Sequence, residues 1–156
     1  MMTRAIVGDL VRNFGFTLIE LLVTIAVMAI IATIAVPGFQ SMMARNQLAS
    51  SYNEILSGLY LARSEAIKRR QNVSFEVMAS SPWEYRVYVT DDGSDNAIRV
   101  RQASRGGVSV SDSNVVEFNR LGRIVEISDC DGGCTLTVDS KSIQISGFGR
   151  IGRGGS

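Results

Sequence analysis

Residues Phe16 to Val36 read FTLIELLVTIAVMAIIATIAV, 21 residues that carry one charge, Glu20. As a helix this run spans roughly 32 Å, enough to cross a bilayer core. Ahead of it stand Arg4 and Arg12 against one acid, Asp9, while the far flank holds only Arg45 before Glu54. That bias predicts a cytoplasmic N-terminus and export of the residues C-terminal to the run. A cleaved secretory signal is the competing reading of a basic start ahead of an apolar run. Its hydrophobic region would be shorter and would end in a small-x-small cleavage site, which the sequence does not offer here. A carboxylate this near the start of an apolar span either reaches the interface or meets a partner that compensates its charge.

Composition narrows the chemistry. The chain has 156 residues, 16 Lys and Arg, 15 Asp and Glu, two Cys and no His. Without His there is no His-ligated zinc, no imidazole acid–base catalyst and no His-containing triad. A formal charge of +1 removes the broad basic field of a dedicated duplex-DNA protein, though not a local basic patch. No constellation of catalytic residues is present and no cofactor or metal is expected.

Beyond Pro37 the helical pattern continues. Leu48, Tyr52, Ile55, Leu59, Ala62 and Ala66 recur at steps of three and four, opposite Arg45, Glu54, Arg63, Lys68 and Arg70. This stripe reads as the core-facing side of a helix, with partner binding in a groove as the alternative. Pro37 removes one backbone donor, so a bend is expected there. Gly58 in mid-helix costs about 1 kcal/mol relative to Ala. From Asn72 onward the period changes to two. Val73, Phe75 and Val77, then Tyr85, Val87 and Val89, then Ile98 and Val100 alternate with polar residues.

The segment Asp91–Asn96 predicts a hairpin loop; its carboxylates lack the downstream Glu of a calcium loop. Short strands are expected at 115–118, 123–127, 134–138 and 142–146. The fold class is α+β: an N-terminal transmembrane helix (16–36), its continuation (37–70) and an antiparallel β head (71–146). Cys130 and Cys134 flank a Gly pair that permits a tight turn, and in an exported domain they are expected to form a disulfide.

Residues 147–156 read GFGRIGRGGS, five Gly and two Arg without an acid. Composition favours a solvated tail. The alternative is phosphate binding by Arg150 and Arg153, with Lys141 and Arg123 as helpers.

The stretch Gly15-Phe16-Thr17-Leu18-Ile19-Glu20-Leu21-Leu22 resembles the class III signal of type IV pilins and type II secretion pseudopilins. The resemblance implies that residues 1–15 are a leader, that prepilin peptidase cuts between Gly15 and Phe16, and that the Phe16 amine is methylated. It further implies that Glu20 pairs with the N-terminal ammonium of a neighbouring subunit, and it places Pro37 at a helix-kinking position. Removal of the leader leaves 141 residues with 14 basic and 14 acidic side chains.

Leu61-Ala62-Arg63-Ser64-Glu65-Ala66-Ile67-Lys68-Arg69, the Phe118…Gly122-Arg123 element and Gly149-Arg150 narrow the resemblance to the H-type group. That group comprises FimT- and FimU-like minor pilins and H-type pseudopilins. It implies an inner-membrane subunit with a periplasmic head, incorporated with other pilins at the tip of a type IV pilus-type filament. FimT-like members bind DNA through Gly-Arg-x-Arg; here Gly149-Arg150-Ile151-Gly152-Arg153 places the second Arg one position later. DNA uptake and a role in type II secretion are the two alternatives.

Overall fold

The computed structural model of the chain describes residues 15–93, 95–103, 107–111, 115–125 and 133–154. Two compact units divide it, residues 1–41 and 42–156.

In the first unit the described residues from Leu18 onward are helical and exposed. They form the first part of α1 (Leu18–Arg69), which is long and apolar enough to cross a membrane, with a mean hydropathy of 2.6 in its most apolar window. Pro37 lies inside the helix.

In the second unit α1 turns amphipathic and buries Ser51, Tyr52, Ile55, Gly58, Leu59, Ala62 and Ala66. These positions repeat at helical spacing, so one face meets the core and the other keeps its charges in water. Leu48, expected on the same stripe, is partly buried at its start. The strands that receive this face form two antiparallel sheets. The first runs β3 (Ala97–Gln102), β2 (Trp83–Val89), β1 (Val73–Ser80) and β4 (Val115–Phe118). The second runs β5 (Gly133–Val138), β6 (Lys141–Ser146) and β7 (Ile151–Arg153).

Register explains which residues are core. In β1 and β2, Val73 faces Val89, Phe75 faces Val87 and Val77 faces Tyr85, all buried and all at every second position. In β5 and β6, Leu136 pairs with Ile143 and Cys134 with Ile145, again all buried. Phe75 and Tyr85 stack with ring centroids 4.8 Å apart. Their rings occupy the space beside Gly58, where an added Cβ would stand 2.7 Å from the Tyr85 ring. The helix glycine is therefore a packing requirement that composition presented only as a cost.

The end of the chain corrects an expectation. Rather than a wholly solvated tail, Ile151–Arg153 is a strand, with Ile151 opposite Ile145 and 6% exposed. Burial of that single apolar side chain, together with the ladder to β6, outweighs the flexibility of the surrounding glycines. The expected strand at 123–127 is reduced to one bridge between Ile124 and Phe118, with residues 126 and 127 outside the described residues. The loop at Asp91–Asn96 does separate β2 from β3, beginning with a short 3-10 turn at Thr90–Asp92.

Candidate functional site

The residues singled out around the apolar run sit at the start of α1. Phe16 is 84% exposed and nothing lies within 4 Å of a Cβ built at Gly15. Thr17 caps the helix. Its Oγ1 accepts the Glu20 N–H at 3.2 Å, while its carbonyl accepts Leu21 N–H at 3.2 Å. This is an N-cap on a Ser/Thr-x-x-Glu sequence, in which the threonine hydroxyl satisfies a donor that the helix itself leaves free. Thr17-Leu18-Ile19-Glu20 carried that signal in plain sight, and sequence reasoning considered Glu20 only for its charge, at the interface or with a partner. The Glu20 carboxylate is exposed and makes no ion pair among the described residues.

The four cations considered for phosphate binding fall into three settings. Lys141 on β6 and Arg153 on β7 converge on one ring, that of Tyr52, with Nζ and Cζ at 5.6 and 5.9 Å from its centroid. Neither makes an ion pair among the described residues. They line a groove between α1 and the β5–β6 turn, together with Asn53, Asp139 and Ser142. Alternation along β7 brings this about: Arg153 is two residues from buried Ile151 and so projects to the same, helix-facing side. Arg123 instead lies over the Phe148 ring, 5.6 Å from its centroid. Arg150 is exposed, and its N–H donates to Ser146 Oγ at 3.1 Å. Tyr52, which brings Lys141 and Arg153 together, was read in the sequence only as a core residue.

A second arrangement joins two turns to the helix. In the first turn, Gly122 N–H donates to Asn119 O at 2.7 Å and Leu121 N–H to Asn119 Oδ1 at 2.9 Å. In the second, Gly149 N–H donates to Ser146 O at 2.7 Å. Both glycines have positive φ, 71° and 75°, a conformation that costs other residues strain. Ile124 N–H donates to Gly147 O at 3.1 Å and Arg63 Nε to Gly122 O at 3.1 Å, tying turn to turn and turn to helix. At the tips Leu121 and Phe148 are 66% and 76% exposed.

Tyr85 O–H donates to Glu54 Oε1 at 3.0 Å, and Arg101 Nε approaches the same oxygen at 3.4 Å. Burial, and then the hydrogen bond to Glu54, push the Tyr85 hydroxyl up to about 12. On the outer face of the helix, Arg69 beside Glu65 holds that carboxyl below its ordinary value. Cys134 is buried on β5; Cys130, its expected partner, lies outside the described residues.

Comparison with known proteins adds relatives to this geometry. Residues 51–149 match the family model described as Type II transport protein GspH, and residues 11–36 match the prokaryotic N-terminal methylation motif. Fimbrial protein EcpC of Eikenella corrodens is 49% identical over 39 residues, 25% of this chain and 26% of that protein. A fimbrial protein of Pseudomonas aeruginosa is 37% identical over 60 residues, 38% of this chain and 39% of that one. The type IV major pilin protein PilA of Myxococcus xanthus is 36% identical over 63 residues, 40% of this chain and 28% of that one. The chain thus spans between about a quarter and two-fifths of the length of these relatives. Two crystal structures of the type IV minor pilin FimU of Pseudomonas aeruginosa share the fold. One has a TM-score of 0.61 at 18% identity, covering 71% of this chain and 90% of that chain. The other has 0.56 at 20%, covering 69% and 92%.

Proposed function

The chain belongs to the GspH family of type II transport proteins, and from that premise we propose that it is a minor subunit built into the tip of a type IV pilus-type filament. The observation that carries this reading is the start of α1. From Leu18 to Val36 its apolar side chains are open on all sides, with Ile34 at 77% exposure and Met28 at 70%. Such a surface suits a bilayer first and the helices of other subunits afterwards, since water disfavours it.

On this reading prepilin peptidase removes residues 1–15 in the inner membrane, leaving Phe16 at the start of a helix already capped by Thr17. The N-terminus is cytoplasmic and the second unit periplasmic. Glu20 offers its carboxylate to the amine of a neighbouring Phe16, Pro37 bends the helix, and Cys130 pairs with Cys134 in the exported head. The test compares Gly15→Val with Glu20→Ala in cells that make filaments. The first variant is expected to stay uncleaved in the membrane. The second is expected to be cleaved but poorly incorporated, and normal incorporation would remove the charge-pair argument.

A second reading, nucleic-acid binding by the same subunit, is favoured by the convergence of Lys141 and Arg153 on Tyr52. Two cations without carboxylate partners beside an open groove suit phosphate oxygens. The expected result is sequence-independent binding of duplex DNA by residues 42–156. Its salt slope would be about −2, given about −0.9 per phosphate, and binding would be lost in Lys141→Ala/Arg153→Ala. Absence of binding at low salt returns the groove to a structural role.

A further inference from the structure

The two glycine turns present a surface that neither reading above uses. Their tips, Leu121 and Phe148, are 66% and 76% exposed, and Ile67 of α1 is 48% exposed. The two turns and Ile67 adjoin: a Cβ at Gly122 would stand 2.7 Å from Ile67 Cδ1, and a Cβ at Gly149 would run into the Gly122 carbonyl oxygen. Large apolar side chains held on tightly hydrogen-bonded turns lose little entropy when covered, which is the character of a binding anchor. The charges on the two turns themselves are all positive. Arg120, Arg123 and Arg150 are exposed on the same two turns, and none makes an ion pair among the described residues. A cleft beside Leu121 adds Arg70 to this rim, with Asp91 on its wall.

We propose that Leu121, Phe148 and Ile67 form a docking surface for a different subunit of the filament, one that presents apolar side chains ringed by carboxylates. Charge complementarity argues for that occupant: an arginine rim around an apolar centre selects an acidic rim and repels a second copy of itself. Two of the three anchors are aliphatic and offer no stacking face to a nucleobase. Arg123 is already laid on Phe148, and Arg63 is committed to the Gly122 carbonyl. A protein surface therefore fits these turns better than a nucleic acid. The proposal rests on the filament reading, so its test includes a position that reports on that reading alone.

The experiment places a photo-cross-linking residue at Phe148, at Leu121, at Gln102 as an exposed control on β3 at the opposite edge of the first sheet, and at Ile25 in the apolar helix. Each is made in the full-length chain in filament-producing cells, and the products are identified by mass spectrometry. The expected result is one pilin-family subunit captured from both 148 and 121 but not from 102. Its yield should fall at least about fivefold when Arg123→Glu is added, because the reversed charge meets the partner's carboxylates. Both side chains are exposed, and unchanged protein level in the membrane verifies folding. Capture of a pilin from Ile25 but not from 148 or 121 overturns the docking surface and leaves the filament reading standing. Capture of DNA from 148 also overturns it. No pilin captured from any position overturns both.

Discussion

Gly149 rests against the backbone of Gly122 so closely that a Cβ at position 149 would overlap the Gly122 carbonyl oxygen. That oxygen also accepts from Arg63 Nε at 3.1 Å. One carbonyl thus meets both a turn and a helix side chain. Gly149-Arg150 was notable in the sequence for its arginine; the contact gives the glycine a separate reason to be there.

Gly149→Ala should destabilise the head by about 2–4 kcal/mol, since it combines a forced overlap with a positive φ of 75°. Urea unfolding of residues 42–156 measures this, and a change below about 0.5 kcal/mol would contradict the close approach.

Gly58→Ala should also destabilise, by about 1–3 kcal/mol, although Ala is the better helix former by about 1 kcal/mol. The added methyl would meet the rings of Tyr85 and Phe75 at 2.7 and 2.8 Å. A rise in melting temperature would show that those rings move aside freely.

The raised Tyr85 hydroxyl gives a pH signature. Its folded value of about 12 lies above the ordinary 10. Its contribution is therefore complete below pH 10 and is lost as pH rises towards 12, because the unfolded chain releases that proton first. Across this window the wild-type head should lose about 1–3 kcal/mol more than Tyr85→Phe does. Parallel pH profiles for the two proteins would remove the effect.

At the glycine-rich end, Ile151→Ala should cost about 2–4 kcal/mol because its side chain fills the core beside Ile145, whereas Phe148→Ala should cost less than about 0.5 kcal/mol. The two residues are 6% and 76% exposed. Equal effects in thermal unfolding would mean that β7 is not held as described.

What was legible in the sequence was local periodicity. Tyr52, Ile55, Leu59, Ala62 and Ala66 announced their face of α1 through spacing alone, and all are buried. Alternation did the same for Phe75, Val77, Tyr85 and Val87. The class of fold and the family also came from the residues, through the apolar run and its Gly15-to-Leu22 signal. Less legible were features made by residues far apart. One apolar residue among glycines, Ile151, has no period, and its strand exists only because β6 supplies a partner. Tyr52 gathers Lys141 and Arg153 from 89 and 101 positions away, a relation no spacing rule contains. Thr17 is a different case, since its capping signal is local and was passed over in favour of the charge on Glu20.

The strand at Ile151–Arg153 also sets an order of events. A chain emerges from the ribosome from the N-terminus onward, so β6 arrives before the strand that completes its ladder. Until Arg153 has been delivered, one side of β6 keeps unpaired donors and acceptors, and the cavity reserved for Ile151 stays open beside Ile145. The second sheet therefore closes late, and until it does the free edge of β6 is open to pairing with another strand.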